Sequence, residues 1–221
     1  MSQELTSSPL FQGLTLDDTR SLLNCLGGIE REYRKGTYIF SEGAVIDQLG
    51  VVLEGCVLIQ CNDIWGINSI LGNAGPGAVF GESYACCSGE PLQISAVAAE
   101  HTKVLFLNVN RVLTTCPSSC QFHVKLIRNL LSVSAQKNLE LSRRMLHTTP
   151  KTIRGRLFSY FSACSKSAQS NSFDLPYNRQ QLADYLGVDR SAMCSELSKM
   201  QRDGLIQCNR RHIEICCVSE Y

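Results

Sequence analysis

The feature that most limits the fold is a change of period near residue 117. From about residue 29 to 110, short runs rich in Val, Ile, Leu and aromatics ("GTYIFSEG", "LGVVLEGCVLIQ", "TKVLFLN") are separated by glycine-bearing turns from Gly36 to Gly89. Such short strands predict a sandwich or barrel, here a jelly roll. Beyond it, Val124, Ile127, Leu131, Ser134, Asn138, Leu141 and Met145 recur at alternating three- and four-residue steps. This is the spacing of a helical seam with two polar interruptions. Unbroken from about 118 to 146, that helix is on the order of 40 Å long at 1.5 Å per residue. It is too long to bury both sides against one small sandwich. Pairing with a second copy is expected, with Ser134 and Asn138 helping to set register; the alternative is a helix packed wholly within its own chain. A small helix over "LTLDDTRSLLNCL", capped by Thr15 or Asp17, leads into the β-domain.

Composition sets broad bounds. The 221 residues are 44% hydrophobic and 19% charged, enough to bury a core in one large or two modest domains. No apolar run reaches the roughly 18 residues of a membrane span, and the first residues lack the pattern of a signal peptide. A soluble, cytoplasmic chain with no membrane partner is expected. Residues 1–147 hold 11 Lys and Arg against 13 Asp and Glu, and residues 148–221 hold 10 against 7. A basic tail behind an acidic front hints at a polyanion partner. The 12 cysteines form no CxxC and no common zinc spacing, so they are read as reduced thiols in a reducing compartment.

A new unit starts at "HTTPKTIRGRLFSYF", where Thr149 can cap and Pro150 suits the first helical position. Ile153, Leu157, Tyr160 and Phe161 make its buried stripe. The expected division is 1–116, a β-domain; 117–147, a dimerisation helix; and 148–221, a C-terminal domain, with a hinge near 147–149. In "NRQQLADYLGVDRSAMCSELSKMQRDGLI", Asn178 and Gln181 form a capping-box start. Leu182, Ala183 and Leu186 give one apolar face, Gly187 permits a tight turn, and Asp189 caps a second helix with Met193, Leu197 and Met200 inward. Its other face carries Arg190, Ser191, Cys194, Ser195 and Ser198, short polar groups that let a helix approach base edges in a major groove. "GLIQCNRRHIEICCV" reads as two strands around a basic turn, a wing whose Arg210, Arg211 and His212 suit phosphates. Arg179, opening the first helix, joins the candidate DNA contacts. The fold class is α+β: a jelly roll, a long dimerisation helix and a winged helix-turn-helix.

Nearly the whole chain resembles the CRP/FNR superfamily of bacterial transcription regulators. "KGTYIFSEG", "VVLEGCVLI" and "GAVFGE" look like the strands of its cyclic-nucleotide-binding-type roll, and "TPKTIRGRLFSYF" looks like its first DNA-domain helix. The helix-turn-helix stretch is the most specific match. The resemblance implies a homodimer reading an inverted repeat in double-stranded DNA, RNA polymerase as a further partner, and an effector that repositions the recognition helices. It makes 1–116 a sensor domain and 148–221 a DNA-binding domain, with effector contacts from Gly81, Glu82, Ser83, Ile94, Ser95 and Ala96.

Three departures qualify it. Nucleotide-binding members follow a Gly-Glu pair, about ten residues on, with Arg-Ser-Ala. Here Gly81-Glu82 is present, but Ile94 precedes Ser95-Ala96, and neither Lys nor Arg lies between Glu82 and His101. A buried cyclic phosphate would lack a cationic partner, so the effector is expected to be a small molecule other than cyclic AMP and the cofactor stays unknown. The N-terminal cysteines of iron–sulfur members are reduced to Cys25; Cys208, Cys216 and Cys217 make a weak alternative set, as do Cys86, Cys87, His101 and His123 for haem. The adjacent Cys86 and Cys87 are the redox candidates, and no metal site is assigned. Ser195 stands where relatives with a similar helix carry an arginine, so a different sequence should be read. Control by abundance or thiol oxidation without a ligand is the nearest alternative. A regulatory module of an enzyme is a distant one, since the chain offers no nucleophile–base pair, P-loop or metal motif. No catalytic residue is expected.

Overall fold

A computed structural model describes residues 5, 8–62, 68–114 and 121–216. The chain divides into two compact units, Met1–Gln136 and Lys137–Tyr221.

In the first unit a 3-10 turn over Pro9–Phe11 precedes helix α1 (Leu16–Leu26). Thr15 caps it, accepting the Asp18 N–H while the Asp18 carboxylate accepts the Thr15 N–H. Eight strands follow: β1 (Ile29–Tyr33), β2 (Tyr38–Phe40), β3 (Gln48–Glu54), β4 (Val57–Asn62), β5 (Asn68–Ala74), β6 (Val79–Phe80), β7 (Ser95–Ala98) and β8 (Thr102–Asn108). They make two antiparallel sheets ordered β1-β8-β3-β6 and β2-β7-β4-β5. The run "VLFL" in β8 is continuously apolar because its sheet is buried on both faces. Val104 and Phe106 join Val57, Ala74 and Ala96 of the other sheet inside the roll, and Leu105 and Leu107 join a core with Leu22, Leu23 and Leu26 of α1. Short helices α2 (Glu82–Cys86) and α3 (Val109–Leu113) lie between β6 and β7 and after β8.

The long helix α4 (Gln121–Thr148) has 28 residues, about 42 Å at 1.5 Å per residue; positions 118–120 of the expected helix lie outside the described residues. Leu126 and Leu130 are buried in the α1 core, with Phe122, Ile127 and Val133 packed against it. Ile127, read as part of the seam, therefore faces its own domain. Val124, Leu131, Leu141 and Met145 are exposed. The division between the two compact units falls inside α4, after Gln136. Its beginning packs on the roll side and its end belongs with the C-terminal unit.

In that unit, α5 (Ile153–Ala168) is capped by Thr152, whose Oγ1 accepts the Gly155 N–H at 3.0 Å. The start expected at Thr149 and Pro150 is displaced because Thr149 finishes α4: its N–H and its hydroxyl both donate to Met145 O, at 2.9 and 2.7 Å. Strand β9 (Ser172–Asp174), helices α6 (Arg179–Leu186) and α7 (Arg190–Arg202), and strands β10 (Ile206–Asn209) and β11 (His212–Ile215) complete the unit, with sheet order β10-β11-β9. Leu157, Phe161, Leu182, Leu186, Met193, Leu197, Met200, Ile206 and Ile213 make one core. Among the described residues, no helix is long and apolar enough to cross a membrane.

Candidate nucleic-acid interface and sensing cassette

Helix α6 begins with a reciprocal cap: Asn178 Oδ1 accepts the Gln181 N–H and Gln181 Oε1 accepts the Asn178 N–H, both at 2.9 Å. It ends at Gly187, whose φ of +63° turns the chain at little steric cost. Asp189 Oδ1 then accepts the Ala192 N–H at 2.7 Å and starts α7. Met193, Leu197 and Met200 are sealed in the core. On the other face Arg190, Ser191, Ser195 and Ser198 are exposed and Cys194 is half-buried; the Ser198 hydroxyl donates to Cys194 O. Glu196, between the two faces, is held at 2.5 Å by Arg154 Nε, and Arg154 Nη2 reaches Asp203 at 2.8 Å. Arg154 thereby ties α5 to the middle and end of α7, fixing the roll of the helix about its axis.

The wing is a tight hairpin in which Asn209 pairs with His212, leaving Arg210 and Arg211 as its tip. Both are exposed, and Arg210 takes the left-handed conformation at φ +53°. His212 pins β11 to β9: Nδ1 lies 2.9 Å from Asp174 Oδ1, and Nε2 lies 2.9 Å from Ser172 Oγ. This repeats the connectivity of a hydrolytic triad, but the Asp174 and His212 side chains are 80% and 48% exposed, whereas such a triad works where water is excluded. A cross-strand brace is the simpler account. Arg179 differs from the other proposed contacts. It is half-buried, its Nη2 faces the Cys208 sulfur of β10, and its Nη1 is buried without a hydrogen-bond partner among the described residues.

The sensing cassette converges on Phe40. Gly81 lies at the N-terminus of α2 with φ +75°, and a Cβ there would stand 2.8 Å from the Phe40 ring. Phe40 is also the strand partner of Ala96. Phe40 thus meets Gly81 through its ring and Ala96 through its strand, and the ring packs on Phe80 and Phe106 at centroid distances of 5.6 and 5.7 Å. Glu82 is buried, with the Ser83 hydroxyl donating to it at 3.4 Å. Ser95 is buried and its Oγ accepts the Glu42 N–H at 3.1 Å; Ile94 is half-buried. Cys86 and Cys87 are exposed free thiols at the end of α2. Partial desolvation, then the Glu82 carboxylate and Cys87, push the Cys86 thiol up from its ordinary value, which keeps it protonated and a slow nucleophile.

Two family descriptions match in the same order as the two folded parts: a cyclic nucleotide-binding domain over residues 30–118 and a Crp-like helix-turn-helix domain over residues 155–219. Together they span more than half of the chain. The chain belongs to the CRP/FNR superfamily. Solved structures of similar fold include the catabolite activator protein of Thermus thermophilus, 23% identical with a TM-score of 0.51 over 94% of this chain and 93% of that one. The c-di-GMP-responsive global regulator CLP of Xanthomonas campestris is 18% identical, with a TM-score of 0.57 over 92% and 100%. CprK complexed with OCPA is 18% identical, with a TM-score of 0.60 over 89% and 91%. No curated protein matches in sequence.

As a CRP/FNR chain, the protein is a Crp-like transcription regulator with a cyclic-nucleotide-binding-type domain and a helix-turn-helix. The sequence marked neither Phe40 nor the arginines Arg144, Arg154 and Arg156 that brace the C-terminal helices. Each acts on residues distant in sequence, and no period or spacing signals that. Glu196 is the partial exception, since an acid in the middle of a helix otherwise offered to DNA asks for a cation nearby.

Proposed function

We propose that the protein is a cytoplasmic homodimer that recognises an inverted repeat in double-stranded DNA through α7 and the wing. The observation that carries this is the contrast across α7: a fully sealed face of Met193, Leu197 and Met200 opposite exposed Arg190, Ser191 and Ser195. An arginine can read guanine bidentately and small hydroxyls allow close approach, while Arg210 and Arg211 suit phosphates. Dimerisation is supported by the exposed Val124, Leu131, Leu141 and Met145 on α4, each 49–70% accessible to water. They recur at the spacing of a paired helix, with Asn138 among them. Bound to its site, the regulator would meet RNA polymerase; binding and recruitment are its action, and no chemical step is assigned to it.

The effector is a small molecule other than cyclic AMP, taken at the Gly81–Ser83 and Ile94–Ala96 cassette. CLP responds to c-di-GMP and CprK was solved with OCPA, so one fold serves unlike effectors. A second reading, control without any ligand, is favoured by one observation: the half-buried Phe40 ring closes tightly on Gly81 of the cassette.

The test is selection of DNA by the full chain from a randomised pool, followed by binding titrations. Arg190→Ala should cost about 1–3 kcal/mol and relax one position of the site, and Arg211→Ala should weaken all sequences alike and lower the salt slope by about 1. If both left affinity for the selected DNA unchanged, the interface would be misassigned. A monomer at micromolar concentration would remove the dimer, and cyclic AMP raising the affinity would overturn the effector reading.

A further inference from the structure

The carbonyl end of α6, the helix leading into the turn and α7, is gripped by two guanidinium groups from outside the helix-turn-helix. Arg144, one turn from the end of α4, donates from Nε to Tyr185 O at 3.1 Å and from Nη2 to Asp184 O at 3.0 Å. Its guanidinium also lies 5.9 Å from the Tyr185 ring centroid. Arg156 of α5 donates from Nη1 to Leu186 O at 2.9 Å and Gly187 O at 3.0 Å, and from Nε to Pro150 O at 2.9 Å. Four successive carbonyls, from Asp184 to Gly187, therefore accept from two arginines. Carbonyls at a helix C-terminus run out of onward partners and carry partial negative charge, so a forked cation is the side chain best suited to hold them.

His147 fills the same joint. It is buried, bonded through Nδ1 to Ser159 Oγ at 3.0 Å, and edge-on to Tyr160 at 5.5 Å. Arg156 starts within the unit's own helical framework, whereas Arg144 sits on α4, the helix read above as the dimer seam.

We propose that Arg144 is a positioning residue that locks the helix-turn-helix to the end of α4 and thereby sets the half-site spacing the dimer accepts. This rests on the dimeric DNA-binding reading. A stiff joint presents the second recognition helix at one separation and rotation, so the second contact gains only when the operator matches. A loosened joint spreads the same helix over many positions, lowering its effective concentration at the right spacing and raising it at wrong ones. Arg144 itself touches no base or phosphate in this account.

The experiment uses the full chain and three DNAs: the selected inverted repeat, the same repeat with two base pairs added to its spacer, and a single half-site. Arg144→Met keeps the stem against Tyr185 and removes the donors; Arg144→Lys restores one charge without the fork. Arg144→Met should bind the half-site as wild type does, which also reports that it is folded. It should bind the repeat about tenfold more weakly, and its preference for the correct spacer should fall by about tenfold, with Arg144→Lys in between. Amide exchange at residues 187 and 188 should quicken. Unchanged spacer preference overturns the proposal. So does a parallel loss on half-site and repeat with the salt slope lower by about 1, which would make Arg144 a phosphate contact. A wild type that binds half-sites without spacer preference overturns the spacing role alone, and one that binds no DNA overturns the DNA-binding reading as well.

Discussion

The sensing cassette and the recognition helix use the same kinds of side chain in opposite ways. At the cassette, Glu82 and Ser95 are buried, the Ser95 hydroxyl serves the Glu42 N–H, and the Phe40 ring lies against Gly81. At α7, Arg190, Ser191 and Ser195 stand in water while the acid that would spoil the face, Glu196, is held by Arg154. A polar face left in water at no structural cost suits a large partner that brings its own charges and donors. A buried region whose hydroxyl is already paired is held by its own packing, so a ligand taken there must act through that packing. On the proposed reading, regulation and recognition are separated by what each region does with its polar groups.

The largest effect that would break this contrast is expected at Phe40. Phe40→Ala should destabilise the N-terminal unit by about 2–3 kcal/mol, at the low end for a phenylalanine because the ring is half-buried. Urea unfolding followed with a probe in that unit measures it. The cavity opens beside Gly81 but supplies no cation, so millimolar cyclic AMP should not restore the midpoint. Restoration would mean that the interior is a nucleotide site with Phe40 acting as its cover.

How much of this was legible beforehand differs between the same two regions. The helix-turn-helix is written locally: the Asn178–Gln181 box, Gly187, the Asp189 cap and the Met193/Leu197/Met200 stripe each lie within one or two helical turns of what they act on, and all were read correctly. The roll was legible as strands, but not the meeting of Phe40 with Gly81, which joins β2 to the β6–α2 corner through tertiary packing alone. The α5 start was misread because Thr149 has two uses for its hydroxyl, capping forward or bonding back, and Met145 O wins. Ile127 fits the seam by spacing, yet α1 and the roll compete for the same face and take it. Arg179 looked like a surface cation on sequence and turns inward to Cys208.

A smaller effect sharpens the comparison from the recognition side, where packing also has a titratable member. Burial holds the folded-state pKa of His147 below its ordinary 6.5. In the window between the lowered value and 6.5 the unfolded chain binds more protons than the folded one. The contribution is therefore intact above about pH 6.5 and is lost as pH falls toward the folded-state value. The urea midpoint of the C-terminal unit should fall with acidification in wild type and do so less steeply in His147→Gln. Equal slopes, or a steeper one in the variant, would show that the ring near Tyr160, Tyr185 and Arg144 is not the group responsible.

The smallest effect is at the wing tip, where stability and binding should move in opposite directions. Arg210 sits at φ +53°, a conformation that costs a side-chain-bearing residue roughly 1–2 kcal/mol and glycine almost nothing. Glycine gives back about 0.5–1 kcal/mol through its freer unfolded chain, so Arg210→Gly should raise stability by no more than about 1.5 kcal/mol. The same change removes a cation from the tip and should weaken binding to every DNA sequence alike, lowering the salt slope by about 0.9. Chemical unfolding and salt-dependent titration of one variant measure both quantities. A variant that binds unchanged would mean the tip reaches no phosphate. A variant that is less stable would mean that the arginine makes a contact outweighing its backbone. If both signs hold, the wing tolerates backbone strain for the sake of its charge.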